Sequence, residues 1–346
     1  MLLFAPKASA DFAAHIAHTL GVDLASSEER EFDGGEHKMR PLVDVGNEDV
    51  YIVQSTCGDA SASANDKLCR LLFFAGALKD AGAARVTAIT PYLAYARKDR
   101  RTQPRDPVTT RYVATLMEAV GIDRVVTLDI HNDAAFDNAF RCPTVRLDAA
   151  EVFAANVVTD IGDRPVAVMS PDIGGVKRAQ RLRECLVRTL RREVDFAFME
   201  KRRTSGVVSG ETVVGDVDGR AVVIYDDMIA TGTTILRACT AARRAGAKSV
   251  YVAATHAAFV PATIHLFESR VADSILVTDS VALRPEFSKW LAAGLRVCSI
   301  APLMARTIQD LAGHQVDESQ ARARLVARLP ERLREAPQAP SDSGTI

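Results

Sequence analysis

Two aspartates stand side by side, Asp226 and Asp227, at the end of the apolar run "RAVVIYDD". A small hydroxyl-rich turn follows them: Ala230, Thr231, Gly232, Thr233 and Thr234. The run has the β-branched and apolar character of a buried strand. After the turn, "TTILRACTAARRAGA" places Ile235, Cys239, Ala242 and Ala245 on one helical face, and Gly246 stops the helix. The turn therefore lies between a strand and a helix N-terminus, where unpaired N–H groups and the helix dipole favour an anion. The threonine hydroxyls add donors, and Gly232 lets the backbone close on a ligand. A carboxylate does not serve a phosphate directly, but it can bind sugar hydroxyls or help hold Mg²⁺. Phosphate beside hydroxyls points to a sugar phosphate.

Other strand ends carry chemistry of the same kind. "YARKDRRTQPRD" bears Arg97, Lys98, Arg100, Arg101 and Arg105. Guanidinium forks match phosphate oxygens, so the run reads as a polyphosphate clamp, although a solvated loop has a similar composition. "TLDIH" ends on His131, and "SPDIGG" presents Asp172 ahead of two glycines that open a helix. "MEKRR" sets Lys201, Arg202 and Arg203 before a Gly/Ser-rich segment read as mobile. Two basic clusters, a histidine and several aspartates on one edge call for an anionic, metal-bound ligand.

The elements that must position these residues are strands buried on both faces. "DVYIVQST", "RVTAITPY", "RVVTLDIH", "PVAVMSPD", "VDFAFMEK", "AVVIYDD", "SVYVAATH" and "SILVTDS" are mostly continuous apolar runs rather than alternating ones. Helical segments precede most of them, which predicts an α/β fold with mainly parallel sheets covered on both sides. Right-handed crossovers then bring the parallel strands' carboxyl ends to one edge. An echo links "ALKDAGAARVTAITPY", "LMEAVGIDRVVTLDIH" and "AARRAGAKSVYVAATH": helix end, glycine, basic residue, buried strand. It suggests two copies of one α/β domain with a boundary near residues 143–150, although generic βαβ units share the pattern.

Composition narrows the function classes. Among 346 residues, 44 acidic side chains face 43 basic ones, so no bulk charge argues for nucleic acid or a membrane surface. No apolar run approaches a membrane span, and the opening "MLLFAPKASADF" does not read as a signal peptide, so a cytoplasmic location is expected. The six cysteines form no CxxC pair and are expected to be reduced thiols. The tail over 330–346 is rich in Pro, Ser and charge and is expected to be disordered.

The ordered set "FDGGE", "QSTCGDASASANDKL", "PYLAYARKDRR", "DRVVTLDIH", "SPDIGGVKRAQRL", "EKRR", "YDDMIATGTT" and "AGAKSVYVAATH" resembles the ribose-phosphate diphosphokinases, the PRPP synthetases, from about residue 2 to about 310. The resemblance implies two phosphoribosyltransferase-like domains related by pseudo-two-fold symmetry: 1–145 on the ATP side and 146–310 on the ribose 5-phosphate side. It implies Mg²⁺-dependent transfer of a diphosphoryl group from ATP to ribose 5-phosphate. By the same resemblance, Asp226, Asp227 and the turn Ala230, Thr231, Gly232, Thr233 and Thr234 bind ribose 5-phosphate, and Lys201 and Arg203 are catalytic. Arg97 and Lys98 contact ATP, with Phe32, Gly34, Gly35 and Glu36 reaching the adenine of a neighbouring subunit. His131 and Asp172 hold Mg²⁺. A homo-oligomer is implied, a dimer or a hexamer built from dimers. Three positions depart from the family pattern: Gly34 where an Asp is usual, Lys98 where a Gln is usual, and Ala230 where an Asp is common. The Ser-Val-Ser region of the ADP allosteric site has no clear counterpart in "GHQVDESQARAR".

Overall fold

A computed structural model describes residues 1–204 and 207–313; at 201–204 and 207–211 it describes the backbone alone. Fourteen strands lie in the described residues: β1 Leu2–Phe4, β2 Ser27–Glu31, β3 His37–Pro41, β4 Asp49–Val53, β5 Arg85–Thr90, β6 Arg124–Leu128, β7 Thr144–Leu147, β8 Val166–Ser170, β9 Asp195–Thr204, β10 Val207–Val214, β11 Ala221–Met228, β12 Ser249–His256, β13 Ser274–Thr278 and β14 Leu295–Cys298. The helices are α1 Ala10–Leu20, α2 Ala64–Asp80, α3 Thr109–Ala119, α4 Asp133–Ala139, α5 Ala150–Ile161, α6 Val176–Leu190, α7 Thr233–Arg244 and α8 Ile264–Glu268. A final helical run covers 301–313.

The fold is α/β with mainly parallel sheets. One sheet has the order β1-β4-β5-β6-β7 and is parallel throughout. The other has the order β10-β9-β8-β11-β12-β13-β14 and is parallel except for the β9–β10 pair. β2 and β3 form a separate antiparallel hairpin.

Side-chain alternation on β11 shows how the layers join. Ala221, Val223 and Tyr225 enter a core shared with α5, α6 and residues of the first sheet, among them Tyr51, Val126 and Leu128. Val222 and Ile224 face the opposite way, into a core under α7 and α8. The first sheet's other face packs on α2, α3 and α4. Buried apolar surface is thus continuous between the two sheets, and their carboxyl edges are held at a common seam.

The three echoed segments become α2–β5, α3–β6 and α7–β12. Their glycines, Gly82, Gly121 and Gly246, have φ of 89°, 90° and 93°. Each helix ends there in a left-handed residue that glycine adopts without steric cost.

Several expectations change. Ala245 lies past the end of α7 and is exposed, while Ala238 joins Ile235, Cys239 and Ala242 on the buried face. The run ending at Lys201 continues as strand to Thr204, and Val207–Val214 form β10, paired antiparallel with β9. The tail over 330–346 lies outside the described residues.

Candidate active site

The carboxyl ends of β6 and β11 meet at the seam. His131 follows β6, and its Nδ1 lies 2.8 Å from Asp227 Oδ2 on β11. Arg178, in the first turn of α6 and 9% exposed, sits behind the two aspartates. Its guanidinium is 3.5 Å from Asp226 Oδ1 and 3.6 Å from Asp227 Oδ2. Burial opposes that charge, but Asp227, Asp129 and Asp226 together raise its affinity for the proton.

The neighbouring carboxylates behave differently because their partners differ. Burial, then the charge of Asp227, pushes Asp226 well above the usual carboxylate range. Burial also acts to raise Asp227, yet the hydrogen bond to His131 and the charge of Arg178 hold it below that range. Asp227 carries the firmer negative charge, and its Oδ2 shares His131 with the site.

Beyond the aspartates, Gly232 is the N-cap of α7, with φ 79°. A Cβ there would approach Leu266 Cβ at 3.0 Å, so both conformation and space favour glycine. Having no side chain, Gly232 leaves the first-turn N–H groups of α7 uncapped by its own residue. Thr231 and Thr233 put their hydroxyls 3.2 Å apart at this exposed mouth. Thr263 donates to the Ala230 carbonyl and anchors the other side of the turn. An anion here meets backbone N–H groups and the positive end of a helix.

Asp172 lies after β8, and its Oδ1 accepts from Gly175 N at 3.0 Å, at the start of α6. Lys98, in the basic run after β5, is bound to Asp106, Nζ to Oδ2 2.9 Å. Asp106 also accepts from Thr102 and Gln103, so this loop is organised around one carboxylate. Arg97 is exposed and forms no ion pair among the described residues.

Phe32, Gly34, Gly35 and Glu36 form the tip of the β2–β3 hairpin. Phe32 N donates to Glu36 O at 2.8 Å, and the Arg30 guanidinium covers the Phe32 ring at 4.9 Å. No hydrogen bond or ion pair among the described residues joins this tip to His131 or Asp226. The backbones of Lys201 and Arg203 lie on β9; their side chains are outside the described residues.

Asp172 offers an oxygen donor of the kind a hard divalent cation takes, and the imidazole of His131 is a softer one. His131 Nδ1 is engaged and leaves Nε2, and Asp172 Oδ2 has no hydrogen bond among the described residues. No group of three His, Cys, Asp or Glu side chains forms a cage among the described residues. That donor set fits a Mg²⁺ that arrives largely ligated by water and substrate phosphates, as this ion usually is.

Sequence reasoning missed the role of Arg178, which appeared only inside the "GGVKRAQ" stretch. Its position one turn into a helix that starts beside Asp172 was a usable signal, but pairing with Asp226 spans 48 residues. His256, the polar end of the "SVYVAATH" run, is buried at the seam, where it contacts Leu128 O at 3.1 Å and the Ser280 hydroxyl at 2.9 Å.

Comparison with known proteins gives a consistent picture. Residues 1–121 match the model of the N-terminal domain of ribose phosphate pyrophosphokinase, and residues 145–263 match that of the phosphoribosyl transferase domain. A ribose-phosphate pyrophosphokinase of Vibrio parahaemolyticus is 36% identical over 319 residues, covering 91% of this chain and 97% of its own length. That of Pasteurella multocida is 34% identical over 315 residues, covering 90% and 96%. The crystal structure of phosphoribosylpyrophosphate synthetase from Mycobacterium smegmatis aligns with a TM-score of 0.80 at 34% identity, covering 90% of this chain and 99% of that one.

Proposed function

The chain belongs to the ribose-phosphate pyrophosphokinases, and we propose that it transfers the diphosphoryl group of ATP to the C1 hydroxyl of ribose 5-phosphate, with Mg²⁺, giving 5-phosphoribosyl 1-diphosphate and AMP. The observation that carries this reading is the meeting of His131 and Asp227 across the seam, beside the uncapped start of α7. One side offers an anion cradle and carboxylates for sugar hydroxyls; the other offers a basic loop for a polyphosphate.

In this reading the turn Ala230–Thr234 holds the 5-phosphate through backbone N–H groups and threonine hydroxyls, and Asp226 and Asp227 accept from ribose hydroxyls. Arg97 and Lys98 face the donor triphosphate, while Phe32, Gly34, Gly35 and Glu36 reach the adenine bound by a neighbouring subunit of a homo-oligomer. The C1 oxygen forms a bond to the β-phosphorus, the bond from that phosphorus to the α,β-bridging oxygen breaks, and AMP leaves with the electron pair. Lys201 and Arg203 meet the charge that develops on the transferred group. His131 and Asp172 would hold Mg²⁺, which would supply charge neutralisation for the donor phosphates. We also propose the division 1–145 on the ATP side and 146–310 on the ribose 5-phosphate side. The chain passes between the sheets from β7 to β8 through α5.

A coupled assay for AMP tests the reading. AMP should form only when ATP, ribose 5-phosphate and Mg²⁺ are all present. AMP release independent of ribose 5-phosphate, or none at all from folded protein, refutes it.

A further inference from the structure

Two rungs cross the seam in the same register. Asp129 accepts from the Tyr225 hydroxyl at 2.9 Å, and two residues on, His131 meets Asp227 at 2.8 Å. Both pairs are 96 residues apart in the chain, so a slip that broke one would misalign the other. Asp129 is 5% exposed and also accepts from the Thr255 hydroxyl and from Ala149 N. Its backbone has φ 41°, a left-handed conformation unusual for a residue with a side chain. Asp, with Asn, tolerates that region better than most residues, but the conformation still needs surrounding contacts to hold it. The carboxylate supplies three, to Tyr225 on β11, Thr255 on β12 and Ala149 N, beside the backbone bond from Asp129 N to the Leu147 carbonyl.

We propose that Asp129 is a positioning residue for the transfer reaction: its buried carboxylate, bound to Tyr225 and Thr255 of the second sheet, fixes the left-handed turn that carries His131 to Asp227. The proposal rests on the reading of His131 and Asp227 as part of the reaction centre. No hydrogen bond among the described residues joins Asp129 to His131 or Asp227, so its action is through the turn. Both side chains reach β11, at residues two apart, but Asp129 is buried in the seam while the His131 side chain is 44% exposed. The deeper rung sets where the upper one lies.

Asp129→Gly separates backbone from side chain, because glycine adopts the positive φ freely while losing all three accepted bonds. Asp129→Asn keeps an acceptor and tolerates the same conformation. Steady-state kinetics and melting temperature should be measured for both, in the parent and in a His131→Ala background. The expected result is a kcat loss of at least tenfold in Asp129→Gly, with the KM for ribose 5-phosphate within about threefold, and near-parent kcat in Asp129→Asn. In the His131→Ala background the added loss from Asp129→Gly should shrink to less than about threefold, the non-additivity of residues acting through one another. An undiminished loss in that background, or parental kcat in Asp129→Gly, overturns the proposal. If Asp129→Gly does not fold, Thr255→Val removes one bond to the carboxylate at nearly constant shape and is judged by the same two-background criterion. A His131→Ala protein with parental kcat would instead overturn the reading of the site.

Discussion

His256 gives the seam a pH dependence whose size follows from its surroundings. The ring is buried; Nε2 donates to the Leu128 carbonyl at 3.1 Å, and Nδ1 lies 2.9 Å from the Ser280 hydroxyl, which is itself 3.2 Å from the Thr255 carbonyl. Tyr92 stands edge-on to it at 5.0 Å. Burial lowers its pKa from the ordinary 6.5 to about 4. Between those values the unfolded chain binds the extra proton, so stability is lost as pH falls from 6.5 toward 4. The whole gap corresponds to about 3 kcal/mol, and the part between pH 7 and pH 5 to about 2 kcal/mol. Other buried groups, Asp129 among them, titrate as well and in part oppose this trend. Comparison with His256→Gln isolates the histidine, because the remaining groups are common to both proteins. Urea unfolding at pH 7 and pH 5, at one fixed protein concentration, should show the parent losing about 2 kcal/mol more than the variant. Equal losses, within about 0.5 kcal/mol, would mean that His256 is not held neutral by the seam.

Three further outcomes test the reading of the site. Thr233→Val removes a hydroxyl at constant shape and should raise the KM for ribose 5-phosphate by the equivalent of about 1–3 kcal/mol, leaving that for ATP nearly unchanged; a rise confined to ATP would reverse the two substrate sites. Lys201→Ala should lower kcat on the order of 10²–10³-fold with little change in ribose 5-phosphate affinity by calorimetry, and near-normal turnover would remove Lys201 from the mechanism. Gly34 offers no side-chain acceptor to a base and Lys98 is held by Asp106, so GTP or CTP should replace ATP within about tenfold in kcat/KM; parallel donor titrations showing a preference above about a hundredfold refute this.

The parallel strands were legible because strands buried on both faces are written as unbroken β-branched runs, and β11 and β12 are buried over nearly their whole length. Left-handed glycines after α2, α3 and α7 marked the helix ends for a local steric reason. Short strands such as Leu2–Phe4 and Leu295–Cys298 have too few residues to show a period. Ser27–Glu31, "SEERE", carries no apolar pattern, and it becomes a strand only by pairing with His37–Pro41. In the site, the aspartate pair and the turn after it could be read from neighbours in sequence. Arg178, Asp129 and His256 could not be assigned, because their roles come from partners 48 to 128 residues away. The attachment of Lys98 to Asp106 is local and could have been anticipated from the alternating charges of the loop.

The division of labour between the sheets explains why the seam bears so much polar bonding. Turn 230–234 and the two aspartates all come from the end of β11, and Arg178 behind them offsets their charge. In the proposed reading that edge alone holds the sugar phosphate. A diphosphoryl donor brings several negative charges, and the same edge, already carrying two carboxylates, is poorly suited to receive them. The basic loop after β5 and His131 after β6 belong to the first sheet, so in the proposed reading donor and acceptor are held by different sheets. Their reacting atoms meet in line only if the sheets keep one register. Misplacement by about 1 Å can cost 10²-fold in rate. Apolar burial holds the sheets together but is not directional. Register needs directional bonds, and His256–Leu128, Asp129–Tyr225 and His131–Asp227 provide three within four residues of the β6 end.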